Sequence, residues 1–393
     1  MPTSDFTPKI LELEDAIIDS VFSFHDTLHI SFSMKRKTVP CPSCHALTEQ
    51  VHDYRTSVIK DIPVMGKHTF LHYRKRRYRC PFCGKRFYEP FPLLGKYCRT
   101  TSRLGFYAIH QLRNTQNVSS VARHTGLSAS SVFRWMKDIR YARPPLLPQV
   151  LSIDEFRGNA QGQKFQAILT DAKKHDLFDI LPNRSQVTLT QYLLHFPNRK
   201  DVRYFITDMN RVYKDIAKAF FPNATIVIDR FHVVRYVTWA LENVRKKIQK
   251  QMHPEKRKYF KRSRRILLSH FETLSPENRL ALEVMLQQSH DLAVAYHLKE
   301  LFYAFMASEN RTEAVPKLRK FILAAEASQL EEFRPSLTMI QNWSTYILNA
   351  FDCPYSNGYT EGTNNKIKVI KRNAYGYRNF ENFRNRIFLS VKK

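Results

Sequence analysis

The sequence predicts a multidomain α/β protein in which small basic modules precede a mixed-sheet domain interrupted by a long helical insertion. Three observations predict it. Two Cys-x-x-Cys pairs, Cys41/Cys44 and Cys80/Cys83, stand 35 residues apart near the N-terminus. From Val150 onward, short apolar runs alternate with helical patterns. From Val233 to about Ala350 the pattern is almost wholly helical, rich in Lys, Arg and Leu, with no strand signal. There is no internal repeat and no low-complexity tract.

The 393 residues suffice for more than one domain, and an apolar fraction of 43% excludes wholesale disorder. Sixty-three Lys and Arg against 35 Asp and Glu give a net charge of +28 and a pI near 9.9. Such an excess favours a polyanionic partner, because basic side chains release counterions from phosphates. Charge alone leaves a ribosome-associated or membrane-surface protein open. Residues Met1 to Asp19 are acidic and mildly helical, without the basic start and apolar core of a signal peptide. No uninterrupted apolar run approaches the length that spans a bilayer. The expected location is therefore the cytosol, with no membrane partner and with reduced cysteines.

Residues 1–36 form an N-terminal segment: a short helical stretch, then alternating Phe22, Phe24, Leu28, Ile30 and Phe32, which read as one or two strands. Residues 37–90 carry CPSC at 41–44 and CPFC at 80–83. Each Cys-x-x-Cys sets two thiolates on one tight turn, and two facing turns give a tetrahedral site for one structural Zn²⁺. The alternation of Phe70 to Tyr73 reads as a hairpin leading into the second knuckle, which makes the module a zinc ribbon. The alternative is four buried thiols without metal. Cys98 and Cys353 read as ordinary buried thiols. Arg74, Arg76, Arg77 and Arg79 lie on the strand entering the second knuckle, Arg74 and Arg76 on one face and Arg77 and Arg79 on the other. With Tyr73 and Tyr78 interleaved, they read as a phosphate-tracking surface; a plain solvated face is the alternative.

Residues 91–143 read as short helices. Within them, Val118 to Trp135 fits a helix-turn-helix: Ala122 is small where the helices cross, Gly126 supplies the turn, and Ser128 caps the second helix. Val132 and Trp135 would face the core, leaving Ala129, Ser130, Phe133 and Arg134 to meet DNA. Two ordinary core helices remain the competing reading. Arg143-Pro-Pro-Leu-Leu-Pro148 then breaks regular structure as a linker.

Residues 150–232 hold the expected strands Val150–Phe156, Phe165–Thr170, Leu177–Leu181, Tyr204–Thr207 and Ile226–Ile228, with helices at Thr188–His195 and Arg211–Phe220. Asp154 lies inside the first apolar strand, where a carboxylate is costly unless paired or metal-bound. Asp208 ends the fourth strand. In a ribonuclease-H-like sheet the first and fourth strands are neighbours, so the two acids converge. With a third acid from a later helix they can hold two Mg²⁺ (or Mn²⁺) ions, one activating a water or 3′-hydroxyl and the other stabilising the leaving oxygen. Blander roles exist: Asp208 as a helix cap, Asp154 at an exposed sheet edge, with Glu155 pointing to the opposite face. The best third acid is Glu361, since Glu361, Asn365 and Lys368 share one face of a helix from about Thr360; a surface helix of mixed charge is its alternative. Asp229 and His232, at the end of the fifth strand, support the ligands from behind, or Asp229 is itself a rival ligand. Residues 233–350 are the helical insertion, and 351–393 return to the core with the glutamate helix and a basic tail that includes Arg372.

Taken in order, CPSC…CPFC, the helix-turn-helix, SIDEF, ITDMN, VIDRFHVV and SNGYTEGTNNKIKVIKRNAYGYRNFENFR resemble the bacterial insertion-sequence transposases of the ISL-three group, from about residue 38 to 388. The resemblance implies a zinc ribbon, a helix-turn-helix and a DDE catalytic domain of ribonuclease-H-like fold with a helical insertion, and Asp154, Asp208 and Glu361 as the metal-binding triad. Lys368 is similar to the lysine of a Tyr-Arg-Glu-Lys pattern in another transposase group, although Pro354 and Asn357 stand where that pattern has Tyr and Arg. The implied function is binding of terminal inverted repeats, strand cleavage and transfer to target DNA. A homodimer or larger synaptic complex on the nucleoid is expected with it. Two other functions are kept: a DNA-binding regulator with an inert body, and a zinc-ribbon nuclease acting on RNA.

Overall fold

The computed structural model describes residues 12–392 except 14, 96 and 115. The helical stretch expected near the N-terminus lies mostly outside the described residues, and by Ala16 the chain is already strand. Two compact units emerge: Met1–Ala142 with Ile367–Lys393, and Arg143–Lys366. Among the described residues no helix is long and apolar enough to cross a membrane.

In the first unit, β1 (Ala16–Phe24) and β2 (Thr27–Met34) form a hairpin, and short β3 (Val39–Pro40) and β4 (Leu47–Thr48) frame the first knuckle. A long hairpin of β5 (Val51–Val64) and β6 (Lys67–Arg79) follows, with β7 (Arg86–Tyr88) added to β6. Its two-residue turn, Met65-Gly66, has φ of 51° and 76°, the paired left-handed conformation that a type I′ turn needs. The strands run in the order β1-β2-β6-β5, with β2 parallel to β6. Ile30, Phe32, Ile59, Leu71 and Tyr73 alternate onto one face and pack with Leu13 and Phe91. Three helices follow, α1 (Ser102–Arg113), α2 (Val118–Thr125) and α3 (Ala129–Asp138). Gly126 sits left-handed at φ 65° after α2, and the Ser128 side chain accepts from Ser131 N to cap α3. Trp135 lies so close to α1 that a Cβ at Gly105 would fall 2.2 Å from its ring.

In the second unit, β8 (Val150–Phe156), β9 (Gln166–Asp171), β10 (Asp176–Leu181), β11 (Tyr204–Thr207) and β12 (Thr225–Ile228) form a sheet of order β10-β9-β8-β11-β12. Its first three strands are antiparallel and the rest parallel. That is the ribonuclease-H-like arrangement, and it makes the first and fourth strands neighbours. Leu151 and Ile153 face α4 (Gln186–Leu194) and α5 (Arg211–Phe220) through Leu189, Leu193 and Ile216. Leu147 joins this core, its backbone held at both ends by the Asn198 amide, so the predicted linker ends anchored.

The insertion comprises α6 (Arg230–Lys250), α7 (Pro254–Arg262), α8 (Arg264–Leu268), α9 (Pro276–Leu286), α10 (His290–Met306), α11 (Arg311–Ser328) and α12 (Arg334–Leu348). It has its own apolar core, including Val237, Leu241, Phe302, Phe321 and Met339. The chain then returns to the sheet with α13 (Gly358–Asn373).

The last helix, α14 (Phe380–Val391), departs from the expected division. Residues 351–393 were expected in the catalytic core as a whole, yet the chain from Ile367 belongs to the first unit. Leu389 enters the helix-turn-helix core beside Leu104, Val121 and Met136. Buried Arg386 donates to Asn114 O (3.2 Å) and Gln116 O (2.9 Å), holding the α1–α2 turn.

Candidate active site and metal centre

The two knuckles are built alike. Cys41 N donates to Ala46 O and Cys80 N to Lys85 O, while His45 N and Gly84 N return to the two cysteine carbonyls. His45 (φ 59°) and Gly84 (φ 71°) take the left-handed position that turns each chain back. Long β5 and β6 bring the turns together: Cys41 Sγ lies 3.6 Å from Cys83 Sγ, and Cys44 Sγ 3.5 Å from Cys80 Sγ. A tetrahedron of Zn–S bonds near 2.3 Å has edges of roughly 3.8 Å, so the four thiols fit a structural zinc ion. Among the described residues this is the one group of three or more His, Cys, Asp or Glu whose ligand atoms lie within 4.8 Å of one another. Cys98, expected buried, is exposed, and Cys353 is half-buried.

The second constellation centres on β8 and β11. Their register pairs Tyr204 with Val150 and Ile206 with Ser152. Continued by two residues it sets Asp208 level with Asp154, on strands about 4.8 Å apart. Asp154 is 8% exposed. Its Oδ1 accepts from Glu155 N (2.7 Å) and its Oδ2 from Asn364 Nδ2 (2.8 Å). Asp208 Oδ1 is buried with no hydrogen-bond partner. Nor is Asp208 the cap of α5, because Asn210 does that work by accepting from Val212 N.

Burial pushes the Asp154 carboxyl up to about 6, and the charge of Asp208 adds to the rise. Burial also raises Asp208, followed by the charge of Glu155. The charge of His232 opposes both shifts. Asp229 is the N-cap of α6, its Oδ1 accepting from Phe231 N. Glu155 points to the α5 side of the sheet, ion-paired with Arg184 and accepting from Tyr213 OH at 3.3 Å. A buried and a half-buried carboxylate, one of them with an unpartnered oxygen, suit a hard divalent cation.

Helix α13 docks on β8 and β9 by a polar seam. Asn357 bonds Ser152, Thr360 Oγ1 lies 2.7 Å from Thr170 Oγ1, and Asn364 reaches Asp154. Glu361 stands between Thr360 and Asn364 with its side chain exposed, and the three acids do not place their ligand atoms all within 4.8 Å of one another. Strand register thus sets the two aspartates level, and the third acid lies on α13. Asn364 is the contact that sequence reading missed. Its signal was the i, i+4 spacing of Thr360 and Asn364, beside a polar Ser152 two residues before Asp154.

The predicted DNA-contacting residues divide. Arg74 and Arg79 are exposed, Arg74 lying over the Tyr54 ring at 4.3 Å. Arg77 is half-buried and pairs with Asp53 at 3.4 Å. Arg76 does not share their surface: it is buried, bonded to Met34 O (2.6 Å) and paired with Glu89 (3.1 Å). Alternation holds along this stretch, since the register against β5 is unbroken from Tyr73 to Arg76; Met34 O and Glu89, from the neighbouring chain segments, take up the guanidinium and bury it. Ser130 and Arg134 are exposed on α3, whereas Phe133 is half-buried against the helix core rather than turned outward. Lys368 and Arg372 are exposed on the part of α13 that belongs to the first unit.

Three family matches follow the same order as the structure. Residues 37–83 match the zinc finger of the transposases of IS204, IS1001, IS1096 and IS1165. Residues 89–140 match the helix-turn-helix domain of transposase family ISL3, and residues 151–387 match the ISL3-type DDE domain described as "Transposase". The transposase for insertion sequence element IS1001 from Bordetella parapertussis is 29% identical over 375 residues, which is 93% of this chain and 91% of that protein. An "ATP-dependent protease" of Lactococcus lactis subsp. lactis is 35% identical over 105 residues, covering 27% of this chain and 32% of that protein. A stretch that short carries no activity across.

Proposed function

The chain belongs to the ISL3 family of DDE transposases, and from that premise we propose how its residues act on DNA. The zinc ribbon and the helix-turn-helix bind the terminal inverted repeats of the element, with Arg74, Arg79, Ser130, Arg134, Lys368 and Arg372 contacting DNA. The ribonuclease-H-like unit cleaves a phosphodiester and joins the freed 3′-hydroxyl to target DNA. Two synapsed ends call for a dimer or larger assembly.

The observation that carries the catalytic reading is the pair of buried Asp154 and half-buried Asp208, which strand register sets level on neighbouring strands. Asp154 offers an oxygen whose direction Asn364 sets. Asp208 offers Oδ1, which has no other partner. Glu361 joins them as the third ligand by a change of side-chain rotamer on a helix that the Ser152–Thr360 seam already fixes. Two divalent ions, when bound, supply Lewis-acid activation of the attacking hydroxyl and charge stabilisation at the leaving oxygen.

The test is cleavage of a labelled terminal-repeat duplex in Mg²⁺. Asp154→Asn and Asp208→Asn should each lose about a hundredfold or more in rate, since a metal site supplies several kcal/mol of transition-state stabilisation. DNA affinity should persist. Wild-type cleavage by either variant would sink the assignment and leave a DNA-binding regulator, the reading that the exposed position of Glu361 favours. Mn²⁺ binding followed by electron paramagnetic resonance gives a readout independent of turnover.

A further inference from the structure

One face of the first unit's sheet packs the core; the other carries a row of aromatic rings that no step above uses. None of the family matches reaches β1 or β2. Strand register pairs Phe22 with His29, His29 with Phe70, and Phe70 with Lys60. Their rings stack in line. Phe22 and His29 lie 4.8 Å apart at 5°, His29 and Phe70 5.2 Å apart at 13°, and Lys60 Nζ sits 5.9 Å over Phe70. In the next row His72 bonds His29 (2.9 Å), and beyond it Arg74 covers Tyr54.

The outer end of the stack is open, because β1 is the edge strand: Phe22 is 52% exposed and Phe24 64%. No Asp or Glu falls in these rows. The nearest in sequence, Asp19 and Asp26, occupy the β1 bulge and the β1–β2 turn. Lys60, which also donates to Gly126 O, and Arg74 supply positive charge on the same face.

An exposed apolar patch with a basic rim marks a binding surface. A continuous ring stack with an open end, bordered by cations, suits unpaired bases on a phosphate backbone. Duplex DNA hides its base faces in its own stack and cannot use Phe22 in this way. We propose that this sheet face binds single-stranded DNA, an unpaired base continuing the stack on Phe22 while Lys60 and Arg74 meet the backbone. The choice of DNA rests on the transposase reading; the stacking surface does not depend on the aspartates, so Asp154→Asn should leave it intact.

The experiment is fluorescence anisotropy of the full chain with zinc, without Mg²⁺, at fixed salt. It uses labelled oligothymidine of about 16 nucleotides beside a terminal-repeat duplex of equal length. Phe22→Ser should weaken single-strand binding about tenfold, the usual worth of one base stacked on a ring, and Phe22→Trp should restore it. Duplex affinity should not move. Photocrosslinking of iodouracil-substituted oligonucleotide should map to the peptide containing Phe22. Equal single-strand binding by wild type, Phe22→Ser and Phe22→Trp would overturn the proposal. So would a parallel loss on duplex, oligouridine binding more tightly than oligothymidine, or a Phe22→Ser effect confined to self-association in sedimentation, which would make this face a contact between copies.

Discussion

The molecule carries two candidate sets of metal-ligand side chains, the four cysteines and the three acids, and they differ in how nearly each is assembled. The four cysteines already stand at the corners of a near-tetrahedron, with sulfur pairs at 3.5 and 3.6 Å. The acids stand as one buried, one half-buried and one exposed carboxylate. Chain connectivity explains part of the contrast. Each knuckle is a local turn closed by its own backbone hydrogen bonds, and a single hairpin sets the two in place. The acids come from two strands and a helix with the whole insertion between them. Electrostatics explains the rest. The sulfurs share protons across the Cys41–Cys83 and Cys44–Cys80 contacts, whereas the charge of Asp208 raises the cost of ionising Asp154. On the proposed function, one set holds a fold together and the other is completed by cation and DNA during a reaction.

The sharpest way to break that contrast is to withdraw each metal separately. Removing zinc with a strong chelator, or substituting Cys41→Ser with Cys80→Ser, should unfold the ribbon and abolish duplex binding. Structural zinc contributes on the order of 10 kcal/mol in small domains. Withdrawing Mg²⁺ should leave circular dichroism and duplex affinity unchanged while cleavage stops. A chelated protein that still binds the duplex normally would remove the distinction. Next in size is the loss of about a hundredfold or more in cleavage expected for the two aspartate variants.

Much of this was legible in the sequence, for physical reasons that also mark where legibility ended. Period-two and helical patterns set β11 at Tyr204–Thr207 and α5 at Arg211–Phe220, matching the expected bounds residue for residue. Cys-x-x-Cys geometry is local, so spacing alone exposed the zinc centre. Arg76 was misread because Glu89 and the Met34 carbonyl, both distant in sequence, take up its guanidinium, and nothing in its own strand records that. Phe133 was misread because α14, more than two hundred residues downstream, helps to build the core on which α3 lies. The partner of Asp154 was hidden for a similar reason: Asn364 is one polar residue among several in a polar segment, and only the docking of α13 selects it.

That contact sets up a smaller test of how the acidic set is organised. Asn364→Leu keeps the volume and the helix while removing the donor to Asp154. Groups that orient a metal ligand typically change metal affinity by about ten- to a hundredfold. The Mg²⁺ concentration for half-maximal cleavage should rise by that amount, with maximal rate at saturating Mg²⁺ falling less. Mn²⁺ affinity measured without DNA should fall in parallel. If Asn364 served packing alone, thermal stability would drop while the Mg²⁺ requirement stayed put.

The smallest expected effect is on stability, and it follows from the sign of one ionisation. Burial raises the Asp154 carboxyl from its ordinary 3.8 to about 6, and Asp208 shifts in the same direction. Between those pH values the folded chain holds a proton that the unfolded chain has released. The stabilisation is therefore complete below the unfolded value and is lost as pH rises through about 6. Without divalent metal, the denaturant midpoint of the zinc-loaded protein should decline over that window. Asp154→Asn cannot ionise yet can still accept from Asn364, so it should flatten the decline. At pH 7.5 it should be more stable than wild type by about 2 kcal/mol, a shift of a few degrees. Mg²⁺ should narrow the gap by favouring the ionised wild-type pair, while the cysteine centre, whose ligands lie outside this equilibrium, keeps the first unit folded throughout. An unchanged slope in Asp154→Asn, or a variant less stable than wild type at pH 7.5, would show that the acidic pair is not held against its own charge, and the contrast between the two metal-ligand sets would then rest on connectivity alone.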